Sequence, residues 1–551
     1  MTTDSELYDD LKTDAEIRKL WSESIYKRDE RRKFSKIKEV YDFIIVGAGT
    51  AGCVLARELI YNIPNINILV LEAGPPDAQV NDKKSLPCGY PYRTSETDWG
   101  YFIEAQRMTS SIEPTKEVVN RGFAYPRGKI WGGCKYNKWA AQGPEYKIWD
   151  WNHCFEAIEN NAREKPDEEF KKYHGFNGLL HVEDIQNDNF KIVLDVIKVA
   201  KNLGIPHNND FNGYRQNGAG PFQAIGGERC SLANSYLKDA LKKVEVYPRL
   251  QPLGPPYGLP NEIGKFIAVN VKSFSHVLEI LWNENTKNKD NTAIGVKYFY
   301  NGAVHNAYIS PKGEVILCGG AINSPQILML SGIGQKDNLE ANNIKVRKEL
   351  PVGRNLMDHP SCVIAAKVST PNSTNTSQLH YWSNGAEMAI FHKANPEGKI
   401  PCREDFLNEK KFDAISMISA LNIPSSTGYL ELQSSNPFDQ PKIYPNYFEK
   451  PDDLRRMISS LKLSREILKN SALSTFWGVK EIGINDEYGK WCSSCENGSE
   501  MSDNDWEMYI QSQFGVINER LQVYGTKNLR VVDASIFPII PSGNINAPTA
   551  M

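Results

Sequence analysis

A glycine cluster close to the start of the chain constrains the fold more than any other feature. In YDFIIVGAGTAGCVLARELI, the apolar run Phe43–Val46 precedes Gly47, Gly49 and Gly52, which form G-x-G-x-x-G. Small and apolar residues follow at helical spacing, and a second apolar run, Ile66–Leu71, comes next. A strand, a tight turn, a helix and a strand within about 30 residues are the βαβ unit of a doubly wound sheet.

This βαβ unit carries the pattern of a dinucleotide site. The first glycine permits the tight turn, the second lets the backbone approach a pyrophosphate, and the third lets the helix pack closely on the strand. The helix that begins here directs free N–H groups and the positive end of its dipole toward the phosphates. Glu72 lies 20 residues after Gly52, where a carboxylate accepts hydrogen bonds from ribose hydroxyls. An acid at this position disfavours a 2′-phosphate, so the residues leave FAD and NAD as alternatives.

Composition excludes several other classes of protein. The 551 residues include 64 basic and 67 acidic side chains, a net charge of −3, and no nucleic-acid partner is expected at this charge. The mean hydropathy is −0.47 and no apolar run approaches about 18 residues, so no membrane span is predicted. The N-terminal segment lacks the basic-then-apolar order of a secretory signal, which predicts an intracellular protein.

The cysteines and the overall residue usage add less. Ten cysteines in a chain of this length are too dilute for a disulfide scaffold. Cys492 and Cys495 form a CxxC, but no second pair and no nearby histidine completes a zinc site, so no metal is predicted.

The richness in Asn, Lys and Ile resembles giant-virus or amoebal proteins, and a viral source would make the virion an alternative location.

Several further motifs resemble the glucose–methanol–choline (GMC) family of FAD-dependent oxidoreductases. The most specific is GAINSPQILMLSGIG, residues 320–334, which matches the second signature of that family at every fixed position. The segments SETDWGYF, LPVGRNLMDHP, PSSTGYLELQSSNPFDQP and LRVVDASIFP agree with it. The resemblance covers residues 40–551 and favours FAD over NAD. It implies oxidation of a small-molecule alcohol to a carbonyl, with hydride passing to the flavin.

The resemblance also implies a fold class and a division of the chain. An α/β fold, α+β overall, is expected, with a Rossmann-like FAD-binding domain and a second, substrate-binding domain built on a large, mostly antiparallel sheet. The oligomeric state is not predicted. The expected segments are a charged N-terminal extension (1–39), the FAD-binding domain (40–150, 216–365 and 501–551) and the substrate domain (151–215 and 366–500).

Carried over by position, the resemblance assigns FAD contacts across the whole chain. Glu72 and the glycine turn hold the ADP half, and Val277 meets the adenine through its backbone, although Val277 also fits an ordinary core strand. Asn137 lies along the pyrophosphate and flavin, or is a simple turn residue. The full set of predicted contacts is Gly47, Gly49, Gly52, Glu72, Gly132, Gly133, Asn137, Val277, Asp533 and Ala534.

The first signature of the family is altered in this chain. The family pattern is GGSS, two further residues and Asn, whereas this chain has GGCKYN, with Cys134 and Lys135 in place of the hydroxyl pair. Asn137 therefore comes one residue early. A loop of this kind can still meet phosphate through backbone N–H groups, so FAD remains the predicted cofactor.

A second departure concerns the proton acceptor. Members of the family carry a catalytic His that accepts the alcohol proton, in a segment that is absent here: FGVINERLQVYG runs directly on, and no histidine follows His392. Asn546 occupies the substrate-orienting position, but an amide orients an alcohol without accepting its proton. The chain ends at Met551, where relatives continue into a final helix, so a truncated C-terminal part is expected.

Three hypotheses follow from this pattern. The first is a GMC-fold flavoprotein that lacks the catalytic His and oxidises alcohols feebly or not at all. The second is an active oxidoreductase with a surrogate base, for which His359 and His392 are the candidates. The third is a non-catalytic binding or structural protein on the same fold. Neither the substrate nor the electron acceptor is predicted.

Overall fold

The computed structural model describes residues 39–64, 66–76, 97–104, 107–109, 117–119, 124–125, 127–131, 159–161, 166–184, 191–213, 215–221, 223–224, 231–245, 268–284, 291–368, 388–393, 401–407, 414–481, 526–536 and 549. The charged segment before residue 39 and the CxxC at Cys492 and Cys495 lie outside these residues.

The described residues form many strands and fewer helices, and several strands follow one another along the chain without a helix between them. The strands are β1 (Glu39–Val46), β2 (Asn67–Leu71), β3 (Tyr101–Phe102), β4 (Arg107–Thr109), β5 (Glu117–Val119), β6 (Ala124–Tyr125), β7 (Glu159–Asn161), β8 (Leu180–Asp184), β9 (Gly218–Pro221), β10 (Gln223–Ala224), β11 (Ala268–Lys272), β12 (His276–Trp282), β13 (Asn291–Tyr300), β14 (Ala303–Leu317), β15 (Ile333–Gly334), β16 (Lys348–Glu349), β17 (Arg354–Leu356), β18 (Ser361–Lys367), β19 (Met388–Lys393), β20 (Pro401–Leu407), β21 (Ala414–Ala420), β22 (Gly428–Glu431), β23 (Lys442–Tyr444), β24 (Lys480–Glu481), β25 (Thr526–Lys527) and β26 (Leu529–Val531). The helices are α1 (Thr50–Asn62), α2 (Glu168–Lys171), α3 (Lys191–Asn202), a π-helical segment (Ala233–Leu237) that leads into α4 (Lys238–Glu245), α5 (Gly320–Leu330), α6 (Lys336–Ala341), α7 (Pro451–Leu468), α8 (Ser471–Trp477) and a 3₁₀ turn (Ala534–Ile536).

The first large sheet is built around β1, which pairs in parallel with β2 on one side and with β14 on the other. Its strand order is β11-β2-β1-β14-β13-β12, with β26 added beside β14 and β25 beside β13. The β2–β11 and β14–β26 pairs are also parallel, whereas β12, β13 and β14 pair with one another in antiparallel fashion. The predicted βαβ unit is therefore present, and its second strand begins at Asn67, one residue later than expected.

Strands β1 and β2 are buried on both faces of this sheet. Ile44 and Leu69 pack into one core with helix α5, whereas Ile45 and Ile68 pack into a second core with helices α1 and α4. Successive side chains of a strand point to opposite faces, so a continuous apolar run is what two helical layers require. Each fully buried side chain of this kind stabilises the fold by roughly 1.5–3 kcal/mol.

The second large sheet has the strand order β24-β18-β21-β20-β19-β9, and every neighbouring pair in it is antiparallel. Helix α7 packs against it, with Met457 and Leu461 in the shared core. A Rossmann-like mixed sheet beside a large antiparallel sheet confirms the predicted fold class. The domain boundaries themselves stay a prediction. No helix in the described part of the chain is both long and apolar enough to span a membrane.

Candidate active site

A cavity lies where the predicted nucleotide site should be, at the carboxyl ends of β1, β2 and β14. Its volume is about 300 Å³, and Val46, Leu71 and Cys318 mark the three strand ends in its wall. Ligands of open α/β sheets bind at this edge, at the point where the strand order reverses. Among its lining residues are six of the predicted FAD contacts: Gly47, Gly49, Glu72, Val277, Asp533 and Ala534.

The glycine turn owes its shape to close backbone packing. Gly47 has a φ of 105°, and a Cβ on it would lie 2.3 Å from the carbonyl oxygen of Cys318. A Cβ on Gly52 would lie 1.9 Å from the carbonyl oxygen of Gly47, which is the close helix–strand packing expected of the third glycine. Gly52 therefore lies behind the turn rather than in the cavity wall.

Gly49 differs from its neighbours because the space around it is open. A Cβ on Gly49 would meet no atom within 4 Å, and this residue lines the cavity. It is also the N-cap of α1, and no side chain accepts a hydrogen bond there. The first turn of α1 carries no acidic residue, so the positive end of the helix dipole faces the cavity unopposed by its own helix. This arrangement suits an anion such as a phosphate.

Glu72 is buried beside the turn, with both carboxylate oxygens directed at backbone N–H groups. Oε2 accepts from Ala48 at 2.7 Å and Oε1 accepts from Gly74 at 2.9 Å. Burial raises the pKa of Glu72, against the opposing effect of these hydrogen bonds. Each carboxylate oxygen has a second lone pair, so the group can still accept from ribose hydroxyls.

Asp533 caps the N-terminus of helix α5. Its Oδ2 accepts from Gly320 N at 2.8 Å and from the hydroxyl of Ser324, and its Oδ1 accepts from Ser535 N at 2.8 Å. Burial raises the pKa of Asp533, while the hydrogen bonds lower it. A side chain of the protein thus caps the N-terminus of α5, whereas the N-cap position of α1 has no side-chain hydrogen bond.

Val277 is both a core residue and part of the cavity wall. It is 6% exposed and packs into the core beneath α5, so the alternative reading of it as an ordinary strand residue is compatible with its position. The preceding Ser275 donates its N–H to the carbonyl oxygen of Glu72 at 2.7 Å. This bond places the first residues of β12 directly beside the end of β2.

An aromatic wall that the sequence did not single out, formed by His276, Trp99 and Phe438, lies at the same end of the cavity, where His276 and Trp99 line it. The ring of His276 stacks on Phe438, with 4.9 Å between centroids, and meets the edge of Trp99 at 5.7 Å. Its Nε2 lies 3.1 Å from the carbonyl oxygen of Pro437. Burial lowers the pKa of His276 to about 4. The sequence did contain features that point to these residues, because His276 adjoins Val277 and Trp99 belongs to the DW motif. No local pattern, however, predicts that His276 and Trp99 contact each other.

A polar cluster lines the cavity on another side. The hydroxyl of Tyr125 donates to Oδ2 of Asp358 at 2.6 Å, and the guanidinium of Arg127 lies 3.6 Å from the same carboxylate oxygen. The hydroxyl of Tyr101 donates to Oδ1 of Asn323 at 2.5 Å. These pairs satisfy buried polar groups within the wall.

Four predicted site residues lie outside the part of the chain that the structure describes. They are Gly132, Gly133, Asn137 and Asn546. The altered GGCK loop, with Cys134 and Lys135, lies outside it as well. Their roles therefore stay predictions.

The two proposed surrogate bases occupy different places. His359 follows Asp358, and its backbone N–H donates to Oδ1 of Asp358 at 2.9 Å. His392 lies on β19, opposite Cys402 of the antiparallel sheet. Of the histidines in the described residues, His276 is the one found in the cavity wall.

Comparison with protein families gives two matches that together span most of the chain. A model described as GMC oxidoreductase, for the N-terminal part, matches residues 41–247 and 265–361. A second model with the same description, for the C-terminal part, matches residues 424–551.

Similar proteins are found among characterised sequences and solved structures. The chain is 31% identical to the mitochondrial choline dehydrogenase of Mus musculus, over 93% of this chain and 88% of that protein. It is 30% identical to an alcohol dehydrogenase (acceptor) of Pseudomonas putida, over 93% of this chain and 94% of that protein. A crystal structure of pyridoxine 4-oxidase from Mesorbium loti superposes with a TM-score of 0.71 at 20% identity, over 93% of this chain and 97% of that chain.

Proposed function

The chain belongs to the GMC oxidoreductase family, whose cofactor is FAD, and from that premise we propose a flavoprotein that oxidises a small alcohol slowly. The observation that carries the proposal is the convergence of three features on one cavity. These are the open side of Gly49, the uncapped N-terminus of α1 and the carboxylate of Glu72. Together they complement a nucleotide's phosphates and ribose.

The residues present fit FAD. The space beside Gly49 is the space that a Cβ would fill, so the backbone there is open to a pyrophosphate. Glu72 would accept from ribose hydroxyls, and Asp533 and Ala534 line the wall farther along. When bound, FAD would supply the redox chemistry by accepting the hydride from the alcohol carbon.

The proton of the alcohol needs a separate acceptor, because loss of a hydride from carbon and a proton from oxygen gives the carbonyl. No histidine follows His392 in the sequence, and the family's His-bearing segment has no counterpart here. His276 is a poor substitute, since burial lowers its pKa to about 4 and Nε2 is engaged by Pro437. We therefore propose that Asn546 orients the hydroxyl while solvent accepts the proton. A general base accelerates a reaction by roughly 10²–10⁴-fold. We therefore expect this chain to oxidise an alcohol more slowly, by a factor of that order, than a family member that has the catalytic His.

Flavin binding and reduction test this proposal directly. The purified chain should show the visible absorbance of oxidised flavin. An anaerobic panel of small alcohols, choline included, should then bleach that absorbance slowly. Absence of flavin after incubation with FAD would contradict the cofactor assignment, and rapid bleaching would contradict the missing base.

Added imidazole distinguishes a missing base from a poor substrate. Free imidazole can accept the alcohol proton, so it should accelerate flavin reduction in proportion to its concentration, by up to about 10²-fold. The variants His359→Gln and His392→Gln serve as controls and should reduce at the parent rate. A large loss of rate in either variant would instead identify a surrogate base.

A further inference from the structure

His276 lines the cavity beside the end of β2 that carries Glu72. Phosphates belong at the glycine turn after β1, and the ribose belongs at Glu72 after β2. Strand β11 lies beside β2 on the side away from β1, and the turn after it brings Ser275 against the carbonyl oxygen of Glu72. The next residue, His276, lines the cavity. The order phosphate, ribose, base therefore places a nucleobase against His276.

The hydrogen bond to Pro437 determines which ring nitrogen of His276 carries the proton. A backbone carbonyl oxygen can only accept, so Nε2 must donate across the 3.1 Å that separates the two atoms. Burial lowers the pKa of this histidine to about 4, and Lys129 acts in the same direction, so the ring is neutral at neutral pH. In that tautomer Nδ1 holds a lone pair and can only accept a hydrogen bond.

The surrounding loop holds this ring in one orientation. Asn436 donates from Nδ2 to Oδ1 of Asp439 at 2.9 Å, and its Oδ1 accepts from the N–H of Phe438 at 3.2 Å. Phe438 then stacks on one face of His276. Gln440 donates to the carbonyl oxygen of Trp99 at 3.0 Å, which ties the loop to the other aromatic neighbour of the ring. The acceptor is thus preorganised by residues far away in sequence.

We infer that His276 selects adenine, because its Nδ1 accepts a hydrogen bond from the exocyclic amino group of the base. This inference rests on the proposed FAD site and adds a specificity-determining contact to it. Hypoxanthine and guanine present a carbonyl oxygen at the corresponding position. Two acceptors then face each other, so both bases are disfavoured at this site.

Competition between ADP and IDP tests the contact without any measurement of activity. The FAD-loaded chain is titrated with ADP or with IDP, and the released flavin is separated and quantified. ADP should displace FAD at a concentration roughly tenfold lower than the concentration of IDP that is needed. A ratio of this size is expected because IDP loses one hydrogen bond and brings two acceptors face to face. Equal displacement by the two nucleotides would overturn the inference while leaving the FAD site intact.

Two substitutions separate the roles of the two ring nitrogens. In His276→Gln the amide reaches the position of Nε2 and keeps a donor for Pro437, but the acceptor at Nδ1 is lost. In His276→Asn the amide oxygen keeps an acceptor near Nδ1, but the contact with Pro437 is lost. We expect the ADP preference to disappear in His276→Gln and to persist in His276→Asn.

A preference for ADP that survives in His276→Gln would assign the selection to the backbone of Val277 and overturn the inference. The control is His305→Gln, because His305 stacks on Tyr298 at 5.4 Å and is not among the cavity residues. In this control variant, ADP and IDP should displace FAD at the same concentrations as in the parent chain. A parent chain that binds neither FAD nor ADP would contradict the proposed function itself, and the inference with it.

Discussion

The carboxylate of Glu72 accepts a hydrogen bond from the backbone N–H of Ala48, with 2.7 Å between Oε2 and N. This bond joins the end of β2 to the glycine turn that follows β1. The N–H of Gly47 also donates to the carbonyl oxygen of Leu71 at 2.7 Å. The protein's own hydrogen bonds therefore hold the glycine turn and the Glu72 carboxylate together, and preorganisation of this kind lowers the entropic cost of binding a ligand.

Replacement of Glu72 by Gln should weaken FAD binding. The amide can accept from one backbone N–H only, and its NH₂ group faces the other N–H and the ribose hydroxyls. Loss of charge-assisted hydrogen bonds of this kind should raise the Kd for FAD roughly tenfold or more, measured by flavin titration. The matched control is Glu279→Gln on β12, whose carboxylate pairs with Lys297 of β13, and the Kd of this variant for FAD should not change. An unaltered Kd in Glu72→Gln would argue against a ribose contact.

The second and third glycines of the turn should respond differently to an added methyl group. Gly52→Ala places Cβ 1.9 Å from the carbonyl oxygen of Gly47, so the free energy of unfolding should fall by about 1–3 kcal/mol or more. Gly49→Ala meets no protein atom, and its φ of −72° suits alanine, so the fold should be retained. FAD binding should nevertheless weaken, because the methyl group fills the phosphate cradle. Denaturant unfolding measures the free energy of unfolding of both variants, and flavin titration measures their Kd for FAD. An equal Kd in Gly49→Ala and in the parent would contradict a phosphate site beside Gly49.

Asp533→Asn should destabilise the chain through helix α5. The NH₂ group of the amide replaces either Oδ2, which accepts from Gly320 and Ser324, or Oδ1, which accepts from Ser535, so at least one donor loses its acceptor. Loss of these buried, charge-assisted bonds should lower the free energy of unfolding by about 1–3 kcal/mol in urea titration. Asp337→Asn, at an exposed acid in the first turn of α6, should change the free energy of unfolding by about 0.5 kcal/mol or less. Similar losses in the two variants would show that Asp533 is not a buried cap.

His276 should make the chain less stable in mild acid. Its pKa is about 4 in the folded chain against 6.5 in the reference state, so the unfolded chain binds more protons between these pH values. The free energy of unfolding should therefore fall as the pH drops from about 6.5 toward 4, by up to about 3 kcal/mol from this group. His276→Gln should show a smaller loss over that window in denaturant titrations at several pH values. The same acid slope in the variant and the parent would contradict a neutral His276 with a lowered pKa.

Local patterns in the sequence predicted the elements of the nucleotide site. The apolar run before Gly47, the three glycines and the acid at the end of β2 lie within one short stretch, and the structure forms the predicted strands and tight turn there. The same reasoning predicted the sheet around β1, whereas only the family resemblance implied the second, antiparallel sheet. It did not single out the aromatic wall, because Trp99 and Phe438 come from segments on either side of His276 and far from it in sequence.

The division between sequence and tertiary structure follows from the range of the forces involved. Backbone sterics, strand alternation and helix dipoles act within a few residues, so the glycine turn and β1, α1 and β2 could be recognised from the order of residues alone. The cap from Asp533 to Gly320 spans 213 residues, and the bond from His276 to Pro437 spans 161. Such pairs meet only when separate segments pack around common cores. The capped N-terminus of α5, the tautomer of His276 and the aromatic wall beside the cavity therefore depend on the tertiary structure alone.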